Sequence, residues 1–217
     1  MTSDIKPQHN DRAGLWMLLA VIIATAAVFL WTSTHYQHGD TSLDTRVDSQ
    51  GHLHVLGVTL GVTTLREAET ILQSKSDVAL YIYPQEHPKA GMKLEAFFPS
   101  IADHTKVILL LAAGPDRLKK IESDATVPHL YPNGVARMNL AAADAIGINN
   151  ATVQELTLIP NLAVSAETLK ARFGEPDHIQ HLQTDQDLYL YNRIGLQAFL
   201  SKDEPPTLHF SNPPADH

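Results

Sequence analysis

Histidine is the residue type in this sequence with the most scope for chemistry, because the chain of 217 residues holds twelve histidines and no cysteine. Imidazole binds metal ions and titrates near neutral pH. The chain has three short histidine pairs, which are His35 and His38, His52 and His54, and His178 and His181. A two-residue spacing on a strand puts both rings on one face, so His52 and His54 are the candidate pair for a metal. No pair stands near a carboxylate arrangement specific for zinc and no His-Glu-x-x-His occurs. We therefore predict surface histidines and no metal site.

Motifs for nucleophilic or phosphate chemistry are missing from the sequence. It contains no Gly-x-Ser-x-Gly, no Ser-x-x-Lys at a helix start and no Gly-x-x-x-x-Gly-Lys. The closely spaced carboxylates Glu67 and Glu69, and Asp185 and Asp187, are typical of solvated faces and turns. The absence of cysteine excludes disulfides, thiolate metal sites, a cysteine nucleophile and the lipid-bearing cysteine of a bacterial lipoprotein. We therefore predict no enzyme, no catalytic residue and no cofactor.

The charge of the chain is unevenly distributed. The net charge is −8, and residues 1–31 contribute nothing to it because Lys6 and Arg12 balance Asp4 and Asp11. All of the negative charge therefore belongs to the remainder of the chain. An acidic body repels phosphate backbones, so the sequence predicts no nucleic-acid partner.

A long apolar segment near the N-terminus predicts a membrane anchor. Gly14 to Trp31 contains eighteen residues and no charged side chain. A helix of this length spans roughly 27 Å at ~1.5 Å per residue, close to the hydrocarbon core of a bilayer. Trp16 and Trp31 lie near its two ends, where tryptophan favours the membrane interface. We predict a single transmembrane helix over residues 14–31, with both tryptophans at the interface.

The basic residues around this segment predict its orientation. Lys6 and Arg12 precede it, and the next basic residue is Arg46. The positive-inside tendency then places residues 1–13 in the cytoplasm and the rest outside the inner membrane, in a periplasm if the cell is Gram-negative. The alternative is a cleaved signal peptide, since Ala24-Thr25-Ala26 has the small-x-small form of a cleavage site. Cleavage there would leave an apolar mature terminus, so we favour the uncleaved anchor.

Two short segments of the outer part are nearly identical. Leu94 to Phe98 (LEAFF) recurs 102 positions later as Leu196 to Leu200 (LQAFL). A helix-like segment precedes each copy, from Thr64 to Leu72 and from Ser165 to Phe173. Fixed-offset similarity is the signature of a duplicated unit. We therefore predict an α+β fold in which an N-terminal single transmembrane helix is followed by two tandem helix-plus-antiparallel-sheet repeats.

The pattern of polar, apolar and turn residues sets the predicted boundaries. They are a polar tether over 32–50, a first repeat over 51–123, an irregular connection over 124–150, a second repeat over 151–210 and a frayed tail over 211–217. Thr64 and Glu67 form a predicted capping box, and Ser165 and Gly174 are predicted caps of the second helix. Strict alternation makes Asp77 to Tyr83 the clearest predicted strand.

Alternation along the strands predicts an aromatic sheet face. In each half the aliphatic side chains share one face and the aromatic side chains share the other. If the two sheets join, one surface carries six rings, those of Tyr81, Tyr83, Phe97, Tyr189, Tyr191 and Phe199. The rings either cover a second side of the core as cross-strand pairs or form a protein-binding face, since aromatic residues are enriched where proteins bind one another.

One segment of the second half carries a family pattern. Leu169 to Asp177 (LKARFGEPD) reads as a helix that ends in an aromatic residue and Gly-x-Pro, and Tyr-rich strands and a Gly-Leu-x-x-x-Leu stretch follow it. This pattern resembles the SmpA/OmlA outer-membrane assembly lipoproteins, which are small periplasmic modules. The resemblance covers about 45 residues, and in the first half Gln73 to Ser76 replaces Gly-x-Pro. Two such modules in tandem resemble the β-lactamase-inhibitor-protein fold, which implies a concave, aromatic-rich face for a protein partner.

These observations lead to one functional hypothesis and one alternative. The hypothesis is a membrane-anchored periplasmic protein-interaction module, in envelope assembly or as an accessory subunit of an inner-membrane complex. The alternative is a periplasmic sensor or carrier that binds a small ligand, or a metal through His52 and His54. The sequence does not determine the identity of the partner or the oligomeric state.

Overall fold

The computed structural model describes residues 45–101, 104–183 and 185–214, and most of their regular structure is β-strand. The strands are β1 (Arg46–Val47), β2 (Leu53–Val55), β3 (Val58–Thr59), β4 (Asp77–Tyr83), β5 (Gly91–Phe98), β6 (Lys106–Leu111), β7 (His129–Leu130), β8 (Ala136–Asn139), β9 (Val153–Ile159), β10 (His178–Gln183), β11 (Gln186–Tyr191), β12 (Leu196–Ser201) and β13 (Thr207–Ser211). The helices are α1 (Leu65–Ile71), α2 (Pro115–Asp124), α3 (Ala142–Ile148) and α4 (Ala166–Phe173), and Asn192–Ile194 forms one 3₁₀ turn.

Local sequence signals account for the ends of the helices. Thr64 caps α1, accepting a hydrogen bond from the Glu67 amide, and the Glu67 carboxylate accepts one from the Thr64 amide. This confirms the predicted capping box, which satisfies amides that the first helical turn leaves free. Ser165 caps α4 in the same position, and Gly174 ends it with a φ of 85°, a conformation that favours glycine.

The strands form two sheets. The small sheet has the order β1-β2-β3, and the large antiparallel sheet has the order β10-β11-β12-β13-β9-β6-β5-β4-β8-β7. Strand β9 lies near the middle of the large sheet and pairs with β6 on one side and with β13 on the other. The meander β4-β5-β6 and the meander β10-β11-β12-β13 therefore extend outward from one shared strand.

The predicted fold class is wrong. The two sheets expected in tandem repeats are one continuous ten-stranded sheet, and the described helices are short connections of seven to ten residues. The reason is the pairing of β9 with both β6 and β13, which leaves neither meander with an inner edge of its own. The region 124–150, expected to be irregular, contributes β7, β8 and α3, and β8 pairs with β4.

The predicted membrane anchor lies outside the described residues, as do Trp16 and Trp31. Within the described ranges, no helix has the length and apolar character needed to cross a membrane. The transmembrane helix over 14–31 stays a prediction, as does most of the tether over 32–50. Near the C-terminal end of that tether, Arg46 and Val47 form β1.

The core lies on one face of the large sheet. Leu94, Ala96 and Phe98 of β5 are fully or almost fully buried, and they belong to one cluster with side chains from the helices and from the small sheet. Leu65 of α1 and Leu53 of β2 belong to the same cluster. Alternation along each strand sends every second side chain to this covered face. The remaining side chains of the large sheet point to the opposite face, which we call the open face.

A glycine tightens the connection between β11 and β12. Gly195 has a φ of 55°, and a Cβ atom placed on it would lie 1.8 Å from the backbone oxygen of Ser211. Any larger residue would collide with β13 there, and its backbone would also be strained. The connection from β11 to β12 can therefore stay short, and the 3₁₀ turn fills it.

Candidate functional site

The open face carries large apolar side chains on the side of the sheet opposite the core. None of them belongs to the core cluster or packs against it. They are Phe97, Ile108, Leu110, Ile159, Leu188, Leu190 and Phe199. Antiparallel sheets with a solvated face usually place polar residues there. Phe199 is 38% exposed and the other six are partly buried. Patches of apolar side chains that reach the surface often mark interaction sites.

The register across the sheet places these residues in rows. Directly paired residues lie about 4.5–5.5 Å apart, so each row is a continuous line of side chains. The longest row crosses eight strands and consists of His178, Leu190, Gln197, His209, Thr157, Ile108, Phe97 and Asp77. The open face therefore carries both apolar and polar side chains along this row.

The structure places four of the six predicted rings on the open face. Tyr81, Tyr83 and Phe97 lie on the open face at the β4-β5 end, and Phe199 lies on the same face at β12. Phe199 is the most exposed of them, at 38%. Tyr81 and Tyr83 are stacked, with ring centroids 6.2 Å apart. This part of the expected aromatic surface exists in the described fold.

The other two rings, Tyr189 and Tyr191, lie on the covered face. Both are buried, and the Tyr191 ring lies 5.8 Å from the ring of Phe173 in α4. Tyr189 pairs with Ala198 of β12, whose side chain is in the core, so the alternation of β11 puts Leu188 and Leu190 on the open face. The sequence pattern does not state which face of a strand the helices cover, and for β11 the aromatic side is the covered one.

A buried carboxylate organises the β4-β5 end of the open face. Glu95 is only 5% exposed, although it lies on the uncovered side of the sheet. The Tyr83 hydroxyl donates a hydrogen bond of 2.9 Å to its Oε1 atom, and the Lys89 ammonium lies 3.8 Å from the same oxygen. A carboxylate so removed from water needs such partners, because an unpaired buried charge is costly.

The connection between β4 and β5 provides the cover for Glu95. Lys89 lies 5.9 Å from the centroid of the Tyr83 ring, and His87 packs on that ring with centroids 4.6 Å apart. The Lys89 amide donates a hydrogen bond to the His87 ring, which fixes the turn. Residues 84–90 therefore fold over the open face. Burial raises the pKa of the Tyr83 hydroxyl, and the nearby Glu95 charge adds to that effect.

A second polar group lies in the centre of the open face, on β9 and β13. The Thr157 hydroxyl and the His209 Nδ1 atom are 3.0 Å apart, and the His209 Nε2 atom lies 3.5 Å from the Glu155 carboxylate. Burial lowers the pKa of His209, Glu155 opposes that shift, and the charge of Lys89 adds to it.

The cations of the open face differ in their pairing. Arg137 of β8 donates hydrogen bonds to Asp77 and to Asn139, so its charge is compensated. Lys93 lies opposite Tyr81, and Lys106 lies opposite Ile159. Among the residues that the structure describes, neither Lys93 nor Lys106 forms an ion pair.

The histidine pairs do not form a metal site within the described ranges. His54 contacts the Asp48 carboxylate at 3.1 Å and the Thr59 hydroxyl at 2.9 Å, so both of its ring nitrogens have partners. His52 Nδ1 lies 3.6 Å from the same carboxylate. A backbone hydrogen bond from His52 is the main reason that the pKa of Asp48 is lowered, to about 2. In the described residues, no group of three or more His, Asp or Glu side chains is arranged to hold a metal ion.

The two histidines of the pair on β10 point to opposite sides of the sheet. His178 lies on the open face and His181 on the covered side of β10, where it contacts Asp187. His35 and His38 lie outside the described residues.

Sequence reasoning did not identify Glu95, Lys89, Glu155, Thr157 or His209 as site residues. One signal was available, because Glu95 is the single charged residue in the otherwise apolar segment Leu94 to Phe98. The contribution of β9 and β13 could not be found in this way, because it depends on the pairing of strands about 50 residues apart. Comparisons of this chain with protein-family models, curated proteins and solved structures found no match. The resemblance to the SmpA/OmlA lipoproteins stays a prediction from residues 169–177.

Proposed function

We propose that this chain is a non-catalytic, membrane-anchored module that captures a protein partner on the open face of its large sheet. The observation that carries this proposal is the set of large apolar side chains on the sheet face opposite the core, with Phe199 38% exposed. Phe97, Ile108 and Leu110 lie side by side on β5 and β6. Leu188 and Phe199 form a second apolar area on β11 and β12, and the polar residues of β9 and β13 lie between the two areas. Burial of such side chains is the main driving force of protein association.

The charges on the open face indicate what the partner presents. The chain is acidic overall, but the open face carries Lys93 and Lys106, which form no ion pair within the described part of the chain. A partner surface with apolar residues at its centre and carboxylates at its margin would complement this face. Rim charges of this kind guide association and select the partner more than they add affinity.

The polar groups of the open face fit a binding role. Glu95 is paired with Tyr83 and Lys89, and His209 is paired with Thr157 and Glu155. Paired side chains of this type hold their positions before a partner arrives, which lowers the entropy lost on binding. The two groups also limit where an apolar surface can dock, since it must leave their polar atoms satisfied.

The location of the module is part of the proposal. The apolar segment 14–31, with Lys6 and Arg12 before it, supports an inner-membrane anchor with the body on the outer side. The interaction then takes place at an envelope membrane, in assembly or as an accessory subunit of a membrane complex. Small-ligand binding, the alternative from the sequence, is one of the outcomes of the test below.

Site-specific photocrosslinking in the cell envelope tests the proposal. A photoreactive phenylalanine analogue replaces Phe199 on the open face of the full-length chain, and in a matched variant it replaces Ile146, which is 72% exposed on α3. We expect a discrete protein adduct from position 199 and none from position 146. The double charge reversal Lys93→Glu and Lys106→Glu should lower the yield of that adduct.

Three results would contradict the proposal. Equal adducts from positions 199 and 146 would mean contact without a preferred face. An adduct that forms only at position 146 would move the interface to the helices. No adduct at either position, together with a thermal shift caused by a small molecule, would favour the ligand-binding alternative.

A further inference from the structure

The two outer edges of the large sheet are protected to very different degrees. An edge strand offers unpaired backbone amides and carbonyls to any extended chain, so proteins shorten edges or place charges and prolines on them. At one edge, β7 has two residues and lies between Pro128 and Pro132. At the other edge, β10 has six residues and contains no proline and no Lys, Arg, Asp or Glu.

The side chains of β10 leave its outer edge accessible. Ile179 and Leu182 are 37% and 41% exposed, and His178, Gln180 and His181 are also exposed. The only irregularity is a register shift between His181 and Gln183, at the end of the strand. A bulge there protects the end of the edge but leaves His178 to His181 in regular register with β11.

We infer that β10 pairs with β10 of a second copy of this chain, in antiparallel orientation, so that two large sheets join into one. This inference is independent of the proposed function, because it uses the backbone of one edge and leaves the open face free. When a strand pairs with its own copy about a two-fold axis, residues opposite each other must have side chains on the same face of the joined sheet. This condition is met when one residue lies opposite its own copy at the axis.

With Gln180 on the axis, the pairs across the interface are compatible. Gln180 then faces its own copy, and an amide both donates and accepts hydrogen bonds. Ile179 faces His181 on the covered side, and His178 on the open side lies opposite Leu182, at the register shift. No two acidic residues within β10 oppose each other, which matters in a chain with a net charge of −8. The uncharged β10 strand is therefore a suitable place for two copies of this acidic protein to meet.

A single introduced cysteine tests this pairing directly, because the chain contains no cysteine of its own. In the full-length protein, Gln180→Cys places two thiols on the axis, with Cα atoms about 4.5–5.5 Å apart, within the range that a disulfide spans. We expect mild oxidation to give a disulfide-linked dimer of Gln180→Cys. His129→Cys, at the exposed and protected edge β7, is the matched control and should give no disulfide-linked dimer.

A second variant tests whether a dimer forms through β10 or through another part of the chain, such as the predicted membrane anchor. Gln180→Lys places two like charges opposite each other at an exposed position that does not contribute to the core. In light scattering of the full-length protein in mild detergent, we expect a dimer for the wild type and a monomer for Gln180→Lys. A dimer that persists in Gln180→Lys would overturn the inference. So would a cross-linking yield for Gln180→Cys no higher than that of His129→Cys, or a monomeric wild type.

Discussion

Strands β5 and β12 carry nearly the same five residues and occupy matching positions, with one strand between each of them and β9. On the covered face the two strands agree closely. Leu94 and Leu196 are both 1% exposed, and Ala96 and Ala198 are both fully buried. On the open face they differ, because Glu95 is buried whereas its counterpart Gln197 is exposed.

The connections before the two strands explain this difference. Residues 84–90 precede β5 and fold over Tyr83 and Glu95, whereas a single 3₁₀ turn, Asn192–Ile194, precedes β12 and leaves its open side uncovered. The covered face requires a similar set of side chains in both strands, since the same core lies beneath them. On the open face, the length of the preceding connection decides whether a charged residue can be buried.

Alanine substitutions at the fifth residue of the two segments, Phe98 in β5 and Leu200 in β12, should give the largest difference in stability. Phe98 is fully buried, and Leu200 is only partly buried at the margin of the core. We expect Phe98→Ala to lower the free energy of unfolding by about 3–5 kcal/mol, and Leu200→Ala by about 1–2 kcal/mol. Urea unfolding of the full-length protein, followed by circular dichroism, measures both. Equal losses would mean that the two strands contribute equally to the core.

Substitutions at the second residue of the two segments, Glu95 in β5 and Gln197 in β12, should also differ in their effect on stability, because Glu95 accepts a hydrogen bond from Tyr83. Replacing Glu95 by Gln and Tyr83 by Phe, singly and together, gives a double-mutant cycle for their contact. We expect a coupling energy of about 1.5–3 kcal/mol, because the bond joins a hydroxyl to a buried carboxylate.

The matched change on β12 is Gln197→Glu, which introduces the same carboxylate at an exposed position. We expect it to alter the free energy of unfolding by less than about 0.5 kcal/mol. A loss from Gln197→Glu as large as that from Glu95→Gln would show that the connection over β5 does not determine the difference.

Local patterns predicted the elements well and their assembly poorly. Alternation predicted a strand over Asp77–Tyr83, and the observed β4 has these bounds. The capping box at Thr64 was likewise readable, because it depends on neighbours three residues apart. The joining of the two meanders at β9 depends on residues far apart in sequence, such as Leu156 with Phe210, and no local pattern encodes it.

The candidate site was predictable to the extent that it depends on alternation within single strands. Tyr81, Tyr83 and Phe97 follow from the parity of β4 and β5. Tyr189 and Tyr191 do not, because the helices cover the aromatic side of β11 and the aliphatic side of β4. The choice of the covered side is a property of the packing of the whole sheet.

The β4-β5 end of the sheet should also respond to alkaline pH through Tyr83. Its pKa is raised in the folded protein, mainly by burial, above the ordinary value of 10.0. The folded state therefore keeps the proton that the unfolded state loses, so stability falls as the pH rises above about 10. We expect the difference in unfolding free energy between wild type and Tyr83→Phe to shrink from pH 8 to pH 11. A constant difference over this range would contradict the burial of the hydroxyl beside Glu95.

The smallest expected effect concerns His209 and connects the two polar groups of the open face. Its pKa is lowered by burial and by Lys89, and Glu155 opposes the shift. The folded state thus favours the neutral ring, so the contribution of His209 to stability is present above about pH 6.5 and is lost as the pH falls below it. In an NMR titration of the His209 ring, we expect Lys89→Gln to raise the midpoint and Glu155→Gln to lower it.

A lysine elsewhere in the chain provides the control for this titration. Lys202 pairs with Asp185 at the far end of β12, so Lys202→Gln removes the same charge without changing the surroundings of His209. If Lys89→Gln and Lys202→Gln move the midpoint equally, only the total charge of the protein matters. If Lys89→Gln alone moves the midpoint, the Lys89 charge on the connection over β5 acts on His209 of β13. The two polar groups of the open face are then electrostatically coupled across β9, the strand that both meanders share.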